Sequence, residues 1–131
     1  MDKQIKATGI RKIIAERMSE SWHVSPRVVY TLSVDMSKAL EFIETLNKDN
    51  EDKALKVSMN HILMKLCAEA MKEYEYVNSS FEGDTITIHD QINIGLAVAV
   101  DNGLIVPNIK DVGNKDINEI AKETNDAVNR T

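Results

Sequence analysis

Three histidines, one cysteine and scattered carboxylates are the residues of this 131-residue chain with types suited to chemistry. His23, His61 and His89 could each carry a proton near neutral pH. Cys67 could act as a nucleophile if a base stood beside it. A metal site needs such ligands clustered, and these histidines are far apart with no ligand spacing among them. His61 and Cys67 are six residues apart on one predicted helix, which puts them on different faces and argues against a thiol–imidazole pair. Each histidine therefore reads first as structural: His23-Val24-Ser25-Pro26 shapes a helix end, and His89-Asp90 makes a turn at the end of a strand. The pairs Glu73/Glu75 and Asp111/Asp116 fall in charged segments that read as solvated surface. The glycines at 9, 83, 95, 103 and 113 fit neither the dinucleotide fingerprint nor the phosphate loop. Taken as chemistry alone, the chain offers no catalytic set and no metal site.

The elements that would position these residues are readable from periodicity. Ile10, Ile13, Ile14, Met18 and Trp22 recur at helical spacing, with Arg11, Lys12, Glu16 and Arg17 between them. Pro26 ends that helix. Val28, Tyr30, Leu32, Val34 and Met36 then alternate with Arg27, Thr31, Ser33 and Asp35, which predicts a half-buried strand. Ser37 is positioned to cap a helix with Leu40, Ile43 and Leu46 inward. Residues 47–56 form a charged, solvated loop. Ser58 caps the next helix, in which Met59, Ile62, Leu63, Met64, Leu66, Cys67, Ala70 and Met71 are apolar around most of the circumference; that predicts a central helix and a buried free thiol. Strands follow: Ser80-Phe81 and Thr85–Ile88 about the tight turn Glu82-Gly83-Asp84, then the nearly continuous apolar run 92–100, covered on both faces, the hairpin turn Asp101-Asn102-Gly103, and a return over Leu104–Ile109 in which Pro107 marks an edge or a bulge. A last helix carries Ile117, Ile120, Ala121, Thr124, Ala127 and Val128 on one face, with Asp116 and Glu119 as a capping pair. The expected fold class is α+β, a mixed sheet with helices mainly on one face, in a single domain over 1–131.

Composition sets bounds on this reading. The hydrophobic and charged fractions, 43% and 28%, are those of an ordinary globular protein. A net charge of −5 does not favour a nucleic-acid surface. One cysteine excludes an internal disulfide. The start Met1-Asp2-Lys3-Gln4-Ile5-Lys6 shows no signal-peptide core, and no run reaches the roughly 18 apolar residues of a membrane span. The expectation is a cytoplasmic protein with no membrane partner.

The segment from Asn93-Ile94-Gly95-Leu96-Ala97-Val98-Ala99-Val100 through Asp101-Asn102-Gly103 to Leu104-Ile105-Val106-Pro107-Asn108-Ile109-Lys110-Asp111-Val112 is distinctive. It resembles the inner strands of the catalytic domain of dihydrolipoamide acyltransferases, the core components of 2-oxoacid dehydrogenase complexes. Gly9–Met18 with Ser21 looks like that family's opening helix. Pro26 with Tyr30–Met36 looks like its first strand, Asn78-Ser79-Ser80-Phe81 like its Asn-[AST]-Ser segment, and Ile117–Glu123 like its following helix. The resemblance covers residues 8–130. It implies a chloramphenicol acetyltransferase-like, coenzyme A-dependent acyltransferase fold and a trimer-based homo-oligomer. It also implies lipoyl domains and the other dehydrogenase components as partners, and transfer of an acyl group, acetyl by the commonest case, between dihydrolipoamide and coenzyme A. In such a reaction a histidine takes the attacking thiol's proton and a hydroxyl stabilises the tetrahedral oxyanion.

The resemblance supplies no catalytic residue here. The family's His-Arg-x-x-Asp-Gly motif and its Gly-Gly-x-Phe-Thr-[ILV]-[ST]-Asn stretch are absent, and both would follow Thr131. It therefore implies a truncated domain, its N-terminal part, inactive alone. Of the family's coenzyme A contacts, the hydroxyl opening the long helix matches Ser58. The arginine of the second helix aligns with Ile43, the aspartate ending the inner strand with Ala99, and a polar residue of the last helix with Val128. Losing the guanidinium removes a bidentate contact to phosphate. A non-catalytic scaffold derived from the same fold is the alternative, and an unrelated binding module the third.

Overall fold

A computed structural model describes residues 2–48, 50, 52, 55–100 and 103–130. The chain divides into two compact units, Met1–Val34 and Asp35–Thr131.

The first unit contains α1 (Ile10–Val24), which follows Gly9 with its positive φ of 57°. It buries none of its residues. After it the Arg27 guanidinium stacks 5.3 Å from the Trp22 ring centroid and donates to Ser21 Oγ at 3.2 Å. The strand expected over Val28–Met36 does not form: the segment has no regular structure and no paired neighbour, and Tyr30 is 87% exposed. Alternation alone cannot hold a strand. Its amide and carbonyl groups need a neighbouring strand, and among the described residues none pairs with this one.

Among the described residues the second unit holds three α-helices, α2 (Ser37–Asn47), α3 (Met59–Glu73) and α4 (Ile117–Asn129), and six short strands. Ser37 is not the cap of α2 but its first residue; the preceding Asp35 carboxylate accepts from Ser37 N–H at 2.9 Å and from its hydroxyl at 2.6 Å. The second carboxylate cap is as expected. Asp116 accepts from the amides of Asn118 and Glu119 at 2.8 and 2.9 Å, and Glu119 accepts in return from the Asp116 amide at 2.9 Å. This is the reciprocal bonding that starts a helix without orphaned donors.

Strands β1 (Ser79–Glu82) and β2 (Thr85–Ile88) pair antiparallel about Gly83-Asp84. Gly83 has φ 63°, a conformation that a side chain would strain. Strand β3 (Ile94–Gly95) pairs with β6 (Asn108–Ile109), and β4 (Val98–Val100) with β5 (Gly103–Ile105). The registers Ile94↔Ile109 and Val98↔Ile105 belong to one continuous alignment, so the two ladders are halves of one long hairpin. The interruption lies opposite Pro107, which has no amide to give; Leu96 N–H still donates to its carbonyl at 3.1 Å. At Gly95 a Cβ would come within 2.8 Å of Val106 Cγ1, which explains a residue without one. Asp101 and Asn102 of the expected turn lie outside the described residues. All pairings among the described residues are antiparallel and two-stranded. The α+β class holds, but the mixed sheet expected from the sequence is not seen, because the parallel neighbours it requires are not among these strands.

The core of this unit is Met64 and Ala68 of α3, Ile92, Ile109, Val112 and Ile120 of α4, with Met71, Ile94 and Ala127 packed against it. Helix α3 is not buried all round. It buries only the stripe His61, Met64 and Ala68, the i, i+3, i+7 spacing of one helical face. Cys67, next to Ala68 but about 100° around the helix, is exposed, not the buried thiol expected from its apolar neighbours.

Candidate functional site

At the start of α3 the sequence-derived site residue Ser58 bonds His61 of its own helix, and the two residues before it are held by asparagines of α2 and α4. Ser58 stands at the N-cap of α3 in extended conformation, φ −121° and ψ 170°. Its amide donates to His61 Nδ1 at 3.0 Å, and its hydroxyl oxygen lies 3.4 Å from the same nitrogen. His61 thus takes the place that Glu or Gln holds in a capping box, an acceptor three residues on reaching back to the cap amide. The residue before, Val57, is held in both directions by Asn47 at the end of α2: Asn47 Nδ2 donates to the Val57 carbonyl at 2.8 Å, and Val57 N–H donates to Asn47 Oδ1 at 2.9 Å. Asn125 of α4 donates to the Lys56 carbonyl at 3.1 Å. Three helices therefore fix the three residues Lys56–Ser58.

His61 is 2% exposed. Burial holds its imidazole below the usual histidine range, in the neutral form. An amide can only donate, so Nδ1 must be bare and the ring hydrogen sits on Nε2. The sequence marks His61 as structural but names no partner for it. The readable signal was its place three residues after Ser58.

The other positions compared with coenzyme A contacts lie on separate elements: Ile43 on α2, Ala99 on β4 opposite Leu104, and Val128 on α4. Ile43 is one helical turn before Asn47, and Val128 one turn after Asn125. Ile43 and Val128 therefore flank the two asparagines that hold the Ser58 segment. None of the three side chains carries a charge or a hydrogen-bonding group.

The remaining histidines do not join this cluster. His23 Nδ1 donates to the Ser19 carbonyl of its own helix at 2.7 Å. His89 Nε2 lies 3.2 Å from Ser80 Oγ across the β1–β2 hairpin, and Asn78 Nδ2 closes the same end through the His89 and Gln91 carbonyls. Both histidines shape element ends. Among the described residues no three His, Cys, Asp or Glu side chains gather as metal ligands would, and no helix is long and apolar enough to cross a membrane. Beside the cluster runs an open apolar groove of about 600 Å³, lined by Ala39 and Phe42 of α2, Ile62 and Leu66 of α3, and Ile117, with Lys38, Lys65 and Asp116 at its rim.

The fold and motifs define a class. Residues 1–131 match the family 2-oxoacid dehydrogenases acyltransferase (catalytic domain), and the chain belongs to it. It is 34% identical over 122 residues to the dihydrolipoyllysine-residue acetyltransferase component of the pyruvate dehydrogenase complex of Rickettsia prowazekii, an alignment covering 92% of this chain and 30% of that protein. Its fold is similar to that of the dihydrolipoamide acetyltransferase of Azotobacter vinelandii, with TM-score 0.90 and 26% identity over 99% of this chain and 54% of that one. It is similar also to the cubic core of the pyruvate dehydrogenase multienzyme complex, with TM-score 0.89, 26% identity and the same coverage. The chain thus spans about a third of the curated relative it matches and about half of each solved catalytic chain.

Proposed function

We propose that this chain is the N-terminal part of the catalytic domain of a dihydrolipoamide acyltransferase, working in a pyruvate-type dehydrogenase complex in the cytoplasm. The observation that carries the reading is the family match along residues 1–131. In the proposed reaction the thiol of coenzyme A attacks the carbonyl of an S-acetyl lipoyl arm. Its proton passes to a histidine, the tetrahedral oxyanion collapses, and the dihydrolipoyl sulfur leaves and regains a proton. The histidine and the oxyanion donor are not among the residues of this chain, which has no His-x-x-x-Asp-Gly. What it contributes is the rigid α3 start with the Ser58 hydroxyl, offered to coenzyme A. With Ile43, Ala99 and Val128 where charged or polar contacts are expected, the coenzyme is held by fewer ion pairs than in the family pattern. The proposed partners are lipoyl domains, the other dehydrogenase components and further copies of the subunit in trimers, in keeping with the cubic core to which the fold is similar.

A scaffold reading is favoured by one specific observation: three of the four coenzyme positions are apolar. The gene's complete product separates the two. Acetyl transfer from acetyl-coenzyme A to dihydrolipoamide, with a free-thiol readout, supports the enzyme. Incorporation into a dehydrogenase core with no transfer supports the scaffold.

A further inference from the structure

The geometry at the start of α3 also makes a device that the acyltransferase reading does not use and that stands independently of it. His61 Nδ1 accepts the Ser58 amide at 3.0 Å only while it carries no proton. Nε2 already holds the ring hydrogen, so a second proton can enter only at Nδ1. There it would face the Ser58 N–H donor to donor, inside a site where His61 is 2% exposed. Both the lost bond and the buried charge oppose the closed arrangement.

Among the described residues, the charged side chains on the helices packed around it are Lys65, Glu69, Lys72 and Glu73 on its own helix, Lys38, Glu41, Glu44 and Lys48 on or next to α2, Glu119, Lys122, Glu123 and Asp126 on α4, and Asp52 and Lys56 in the connection before it. Lys65 is engaged by Glu69 at 2.8 Å and by the Gly113 carbonyl at 3.3 Å. Burial lowers the proton affinity of His61.

We propose that His61 is a proton-operated latch on the Lys56–Ser58 segment. Neutral, it closes the segment onto α3; protonated, it leaves its site and frees the Ser58 amide, so that the Lys56–Ser58 segment is released from the helix start. The direction follows from linkage. The closed form binds the proton more weakly than the open form, so closure is complete above the ordinary histidine range and is lost as pH falls below it.

The test is amide hydrogen exchange by NMR on the whole chain, corrected for intrinsic rates, at about pH 7.5 and about pH 5. Once pH falls below the ordinary histidine range, where the open form takes up its proton and the closed form has not, the Ser58 amide is expected to lose protection by about tenfold per pH unit, levelling off when His61 titrates in the closed form as well. His61→Gln keeps an acceptor at the same helix position, and in it Ser58 protection is expected to stay level with pH. Imidazole nitrogen shifts, read on the unmodified chain, should show the Nε2-protonated tautomer at neutral pH. Unchanged Ser58 protection in the unmodified chain, an equal loss in His61→Gln, or the Nδ1-protonated tautomer overturns the proposal. Should His61→Gln fail to fold, the tautomer and the Ser58 pH profile of the unmodified chain decide it.

Discussion

Replacing Asn47 by Ala removes the one side chain that bonds both polar groups of the Val57 backbone. Asn47 donates to the Val57 carbonyl at 2.8 Å and accepts from its amide at 2.9 Å, and Val57 is 4% exposed. Each bond is worth about 1 kcal/mol net, and each buried group left unmet costs about 1–3 kcal/mol. Asn47 itself is only half-buried, so water reaches part of the gap and the total settles at about 2–3 kcal/mol. With a urea slope of about 1.5 kcal/mol/M, that moves the unfolding midpoint down by about 1.3–2 M. Asn47→Asp keeps the acceptor for the amide, loses the donor and sets a carboxylate against a carbonyl, so it should fall between. Urea titrations followed by circular dichroism measure all three. A midpoint within about 0.3 M of the unmodified chain for Asn47→Ala would refute the claim that this side chain locks the Lys56–Ser58 segment.

Ile120 is fully buried against Met64, Ala68, Ile109 and Val112, so Ile120→Ala should cost about 3 kcal/mol in the same titration, whereas Leu66→Ala on the exposed side of α3 should cost under about 1 kcal/mol. Asp116→Ala strips two amide bonds from the first turn of α4 and should cost about 1–2 kcal/mol, with lower helicity by circular dichroism. The exposed apolar residues Val28, Tyr30, Leu32 and Val34, the Phe81 and Ile86 pair on the open β1–β2 ladder, and the groove at Phe42, Ile62 and Leu66 leave strand edges and apolar surface uncovered. The chain should therefore self-associate, and a clean monomer by sedimentation at about 50 µM would contradict this.

Local signals in the sequence translated well where one turn or cap decides the structure. Glu82-Gly83-Asp84 reads as a tight turn because only glycine takes the positive φ there, and Asp116 with Glu119 reads as a cap because both acceptors sit at fixed helical offsets. Reading failed where the answer depends on what lies opposite. Val28–Met36 alternates like a strand yet has no pairing partner among the described residues. The α3 sequence is apolar all round, but only the stripe through Met64 and Ala68 finds a core, which leaves Cys67 and Leu66 outside. At Ser37, serine looked the better cap, yet the Asp35 carboxylate reaches the amide first. Of the candidate site, Ser58 was legible as a helix start. The clamp from Asn47 was not, because it spans ten residues of charged sequence that carry no periodic signal. The family resemblance was legible in the segment Asn93–Val112, where Gly95 answers a close approach of Val106 and Pro107 marks the break between the two ladders.

The central proposal is that this chain carries part of the catalytic domain of a dihydrolipoamide acyltransferase but not the residues that perform the transfer. The most direct measurement is acetyl transfer from acetyl-coenzyme A to dihydrolipoamide by the purified 131-residue chain, read as thioester formed against a no-protein control. The account predicts a rate equal to the control. Sustained turnover would mean that the chain holds a proton acceptor and an oxyanion donor of its own, and would contradict it.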